Sequence, residues 1–170
     1  YDKSLNADPG QIALAIRRAN LLDTMGRSPE SASSLNTYAR LFPENIEILL
    51  AQANWLNRHD RADEARELIA KILSKDSANL EALAMMIQLA ARGRTILPYV
   101  KKMVEIGALP EKQYEIGQIL WKYDLLSMEG VEPLLQYVKD VLQQSPEDRV
   151  VGLYERLRPL AEPVKEVFSG

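Results

Sequence analysis

Residues 46–79, IEILLAQANWLNRHDRADEARELIAKILSKDSAN, carry two apolar-periodic segments, 46–58 and 61–74, joined by a polar turn at His59 and Asp60. Apolar residues recurring three and four apart place one apolar face on each segment, the mark of a helix. The small Ala53 and Ala65 let two such helices approach closely. The stretch therefore reads as a helical hairpin. A single hairpin cannot bury its own apolar face, so this one requires neighbours of the same kind.

Such neighbours recur every 34 residues. Pro9, Pro43 and Ser77 stand at that spacing. Laying residues 12–45 on 46–79 without gaps pairs Ala15 with Leu49, Ala19 with Ala53, Leu22 with Leu56, Ser31 with Ala65 and Leu35 with Ile69. Small mostly meets small and large meets large. The turn of 12–45 carries Gly26, and Ser28-Pro29-Glu30 supplies a capping oxygen, a residue already fixed in φ and an acid for the positive end of the second helix. A third unit, 80–110, keeps Leu83, Met103 and Ile106 at large positions, turns at Gly93-Arg94 and ends at Gly107 and Pro110.

A fourth, degenerate unit, 111–144, has a helix through Ile116, Ile119, Leu120 and Tyr123, a longer turn DLLSMEG and a second helix from about residue 131. The extra turn residues cost little entropy. Residues 145–170 open with Ser145-Pro146-Glu147-Asp148 and continue as a helix through Val150, Tyr154 and Leu157 that Pro159 is expected to end. They finish as a terminal helix or partial unit. Residues 1–11 fall where the tail of a preceding unit belongs, so the chain is expected to be a segment of a longer array.

With 46% hydrophobic and 26% charged residues, the chain has the composition of a globular protein. Only 6% is aromatic, and Ala, Leu, Glu, Gln and Arg are abundant, which favours helix over sheet. A net charge of −3 with dispersed Lys and Arg lacks the basic footprint of a nucleic-acid binder. There is no cysteine for disulfides or thiolate metal sites, and no apolar run of membrane-spanning length, so direct membrane insertion of this segment is not expected.

The 34-residue unit, the small Ala19, Ala53 and Ala65, the large Leu22, Leu56 and Ile69, and Pro43 at the join resemble the tetratricopeptide repeat. The resemblance covers roughly residues 1–110. It departs from the family at Gln52 and Arg18, where leucine is usual, and at Tyr38 and Ile72, where alanine is usual. It implies an all-α solenoid of antiparallel helix pairs wound as a right-handed superhelix, with about four repeats and partial units at both ends, read as one domain over 1–170. It also implies that the first helix of each pair lines a concave, partner-binding face.

Counting from Ile12, Ile46 and Leu80, the ninth residues are Asn20, Asn54 and Gln88, a carboxamide ladder able to donate to and accept from a ligand backbone. The same phase carries Ile16 and Asp23 of the first unit, Glu47, Leu50, Asn57 and Arg58 of the second, and Ala84 and Arg92 of the third to that face. Ile16, Leu50 and Ala84 are expected to form an apolar strip beside the ladder. The carboxylate clamp by which some family members hold acidic chaperone tails is not expected, because its positions here hold Ile16, Asn20, Ala51, Glu81 and Met85.

Catalytic patterns are missing from the sequence. The only histidine, His59, is expected in a solvated turn, and there is no HExxH, phosphate loop or calcium loop, so no metal or other cofactor is expected. Trp55 and Trp121 are expected as packing residues. The leading expectation is a non-enzymatic scaffold that binds a protein or peptide. The alternative is a structural or assembly segment in which a second copy or the chain itself fills the groove. The family resemblance extends to long bacterial proteins that recruit enzymes in periplasmic secretion or exopolysaccharide-export complexes, which places the bacterial periplasm ahead of the cytoplasm.

Overall fold

The computed structural model describes residues 8–90, 96–144 and 148–161. Among the described residues there are nine α-helices, two short 3₁₀ turns and no strand, so the all-α expectation holds. Within each unit helices pack in sequential antiparallel pairs, consistent with a helical repeat. The chain divides into two compact units, Tyr1–Ser77 and Ala78–Gly170.

The first unit is two hairpins, α1 (Pro9–Thr24) with α2 (Ser28–Leu41) and α3 (Ile46–Arg58) with α4 (Ala62–Lys75). Local chemistry sets the helix ends. Asp8 caps α1, its carboxylate accepting from the Gly10 N–H at 2.9 Å, with Pro9 at the first helical position. α1 closes where Gly26 turns left-handed at φ 77° and the Arg27 N–H reaches the Leu22 carbonyl at 2.8 Å. One period later, Asp60 at φ 59° closes α3, and the Arg61 N–H reaches the Leu56 carbonyl at 2.9 Å.

The repetition continues atom by atom. Arg27 donates to Glu30 and Arg61 to Glu64, each from Nε at 2.7 Å. The last turns of α2 and α4 close through Phe42 N–H to Tyr38 O and Asp76 N–H to Ile72 O, both 2.8 Å. Asn45 caps α3 by accepting from the Ile48 N–H at 3.1 Å, and Asn79 accepts from the Ala82 N–H at 3.0 Å. The 34-residue period is therefore written in hydrogen bonds as well as in residue types.

Small residues seal each hairpin. Ala19, Ala53, Ser31 and Ala65 are all fully buried. The Ser31 hydroxyl donates to the Ala19 carbonyl at 2.7 Å, which meets the need of a buried polar group. Ala65, its counterpart in the next hairpin, needs no such partner.

The second unit comprises α5 (Leu80–Ala90), α6 (Leu97–Gly107), α7 (Gln113–Lys122), α8 (Glu132–Gln144) and α9 (Asp148–Ala161). α5 is its centre: every residue from Ala82 to Ile87 is buried, so the helix is covered all round rather than along one stripe. α5 packs on α6 and α7, α6 on α8, and α7 and α8 on α9. The long turn after α7 holds a 3₁₀ turn, Leu125–Ser127, that buries Leu125 and Leu126.

Two tyrosines tie this unit together. The Tyr137 hydroxyl donates to the Gly107 carbonyl at 3.1 Å, and the Tyr154 hydroxyl reaches the Gln113 carbonyl at 3.0 Å. A Cβ on Gly107 would meet the Tyr137 ring at 2.5 Å, so the close approach needs glycine there. Burial pushes both phenols above the ordinary tyrosine range.

Pro159 does not end α9. The helix runs on to Ala161 with the proline inside it. Pro159 lies in the last turn, where its missing N–H removes one bond near an end that frays in any case. Val150, Tyr154 and Leu157, buried at helical spacing, hold the rest of α9 against the unit. The expected turn at Gly93-Arg94, the cap at Ser145-Pro146 and the terminal segment 162–170 lie outside the described residues.

Candidate functional site

The first helices of unit 1 bring several of the expected site residues together. Asn20 and Asp23 lie in the last turns of α1, and Arg58 ends α3. The Arg58 guanidinium donates to Asn20 Oδ1 at 3.3 Å and stands 3.4 Å from Asp23 Oδ2. A residue from one hairpin thus meets two from the other on the face that the helical phase assigned to them.

Asp23 is the hub. Its side chain is only 9% exposed, and it accepts from Ser28 Oγ at 2.8 Å and meets His59 Nε2 at 2.8 Å. The hydrogen bond from Ser28, then those from His59 and the nearby positive groups, hold its carboxyl below the usual carboxylate range against the opposing effect of burial. The Arg58 cation at the end of α3 suits the negative pole of that helix, and Asp23 lies beside the start of α2, where negative charge is favoured.

His59 is not the solvated turn residue expected. Its ring stacks on Trp55, four residues earlier on α3, with centroids 4.2 Å apart and 25° between planes, and its side chain is half-buried. The i, i+4 spacing of Trp55 and His59 was a legible signal for this stack. Its bond to Asp23, 36 residues away, had no local signal. Serine, histidine and aspartate meet here in an order unlike a nucleophilic triad: the carboxylate receives both the hydroxyl and the imidazole, whereas proton relay places the imidazole next to the hydroxyl. The cluster clips the ends of α1, α2 and α3 together.

The other expected residues are placed as follows. Glu47 is exposed in the first turn of α3, and Leu50, Asn54 and Asn57 are half-buried. Ile16 is half-buried and packs against the core formed by Ala19, Leu35 and Ala51. Gln88 lies in the second unit, where its side-chain N–H donates to the Tyr123 carbonyl at 2.8 Å. That bond fixes the carboxamide to its own unit.

Arg92 lies outside the described residues. Ala84 is fully buried, so the apolar strip does not extend to it: α5 is enclosed on every side, and the phase that leaves Leu50 half-buried encloses Ala84. Trp55 packs against the core as expected, whereas Trp121 is 52% exposed and is not a packing residue.

Among the described residues there is no cluster of His, Asp and Glu able to hold a metal ion, and no helix is long and apolar enough to cross a membrane. No protein-family model matches the chain, and no curated protein matches it. The architecture is that of a helical-repeat scaffold capable of protein contact.

Proposed function

We propose that the chain is a non-enzymatic scaffold of tetratricopeptide type that holds a partner protein or peptide on the face of its first helices. The observation that supports this most is the meeting of Asn20, Asp23 and Arg58 from two successive first helices. A network spanning two hairpins gives a ligand one continuous polar surface rather than isolated side chains, and the carboxamides of Asn20 and Asn54 offer donors and acceptors to a peptide backbone.

A photo-reactive residue placed at Asn57, beside that network on α3, tests the reading, with the same residue at the exposed Ala70 of α4 as control. In a lysate of the source cells, position 57 is expected to trap one dominant partner and position 70 none. Equal trapping from both positions overturns the assignment of the face.

One observation favours the assembly reading. Leu14 and Leu21, seven residues apart on α1, are 68% and 61% exposed, whereas their counterparts one period later, Ile48 and Trp55, are buried and half-buried. This stripe is the place for a further helix, and light scattering across a concentration range shows whether a second copy supplies it.

A further inference from the structure

The free face of α1 has a covered copy within the same unit. Leu14, Arg17, Arg18 and Leu21 are exposed, whereas their counterparts one period later, Ile48, Ala51, Gln52 and Trp55, are buried or half-buried. What covers the copy is α2: Leu35 shares a core cluster with Ala51 and Trp55, and Asn36 Oδ1 accepts from Gln52 Nε2 at 3.0 Å. The contact of α2 with α3 is therefore a template for a helix laid on α1.

The residues that differ on α1 decide what that helix must carry. At about 100° per residue, Leu14, Leu21 and the exposed Met25 fall on one stripe, with Arg17 on one side of it and Arg18 on the other. Among the described residues neither arginine forms an ion pair. No acid stands between Pro9 and Leu22, so none lies on α1 within a helical turn of either. Glu30, the single acid of α2, acts on Arg18 across the hairpin but is held by Arg27, whose Nε donates to it at 2.7 Å. With that pair counted as neutral, the stripe keeps both positive charges.

A second copy is a poor occupant for such a surface. In the antiparallel pairing that sets Leu14 of one copy on Leu21 of the other, Arg17 comes opposite Arg18, and a parallel pairing sets each arginine on itself. Like charges placed opposite each other oppose both arrangements.

We propose that this stripe docks an amphipathic helix of a partner protein whose leucine-like residues, seven apart to match Leu14 and Leu21, are edged by acids. The proposal rests on the reading of the stripe as the place of a further helix and adds the chemistry of that helix. A leucine takes the place that Leu35 holds on α3, and the acid after it takes the place of Asn36, where it meets Arg18 instead of Gln52. Arg17 stands where Ala51 stands in the copy, lays its aliphatic stem along the apolar contact and turns its charge to an acid on the other edge.

The test uses the whole chain, labelled with nitrogen-15, and two blocked alanine-rich peptides of about four helical turns. Both carry leucines seven residues apart; one has glutamates on both edges of the leucine stripe and the other has lysines. The glutamate peptide is expected to shift the amides of Leu14, Arg18 and Leu21 saturably in the millimolar range and to bind roughly three- to tenfold tighter than the lysine peptide, the worth of two exposed ion pairs. Arg17→Glu with Arg18→Glu is expected to invert that preference, and Leu21→Ala to weaken both peptides roughly three- to tenfold through lost apolar contact. All three side chains are exposed, so these variants are expected to keep native helix content. Equal binding of the two peptides overturns the proposal and leaves the stripe as a place for a helix of other chemistry. Absence of saturable shifts on α1 in a chain of native helix content overturns it outright. A dimer in light scattering that Leu21→Ala dissolves gives the stripe to a second copy, which overturns the proposal while the assembly reading stands. Sedimentation with anionic phospholipid vesicles that Arg17→Glu with Arg18→Glu abolishes gives the stripe to a lipid surface and overturns both.

Discussion

At the scale of single residues, the repeat makes a controlled comparison of Gly26 with Asp60, which hold the same left-handed position in successive hairpins. A Cβ at Gly26 meets nothing within 4 Å, so Gly26→Ala isolates the backbone cost and is expected to destabilise by roughly 1–2 kcal/mol in urea titration. Asp60→Gly is expected to change stability by less than about 1 kcal/mol, since relief of the left-handed backbone is offset by the freedom that glycine adds to the unfolded chain. Gly26 was legible in the sequence because it acts on backbone within a few residues. The hub at Asp23 was legible only in part. Helical phase put Asp23 and Arg58 on one face, but the union of Asp23 with Ser28 and His59 depends on three helix ends converging in space. Gln88 shows the complementary limit: phase assigned it to a ladder, and its bond to a carbonyl 35 residues away had no local signal.

At the scale of elements, the alanines inside the hairpins decide how closely the helices approach. Ala53 is fully buried, so Ala53→Leu forces the pair apart or strains rotamers and is expected to cost about 1–3 kcal/mol in thermal or urea unfolding. Ala70→Leu on the exposed side of α4 is expected to stay within about 0.5 kcal/mol. If both substitutions cost the same, close packing at Ala53 is not what holds the hairpin. Helix α3 spans the very residues, 46–58, that its apolar period marks, because its Asn45 cap and its Asp60 turn are both local. The end of α9 was misjudged at Pro159, where packing of Tyr154 and Leu157 outweighs a local rule. Exposure of Trp121 was likewise invisible to a period that says which face of a helix is apolar but not whether another element covers it.

At the scale of the whole molecule, the two units are expected to respond differently to alkali. The raised tyrosines, Tyr137 and Tyr154, lie in the second unit. A phenol held above its unfolded value contributes stability in full below about pH 10 and loses it as pH rises beyond that, by up to about 1.4 kcal/mol per pH unit for each group. Urea midpoints measured at rising pH are expected to fall for the unit reported by Trp121, and Tyr154→Phe is expected to shallow that fall. The central claim concerns binding, and calorimetric titration of the partner trapped from position 57 tests it most directly. Asn20→Ala combined with Asn54→Ala leaves Gln88 and its structural bond untouched, and is expected to weaken binding about tenfold or more, on the order of one hydrogen bond lost at each carboxamide. Unchanged affinity with native helix content would contradict the claim that the polar face of the first helices is where this protein meets its partner.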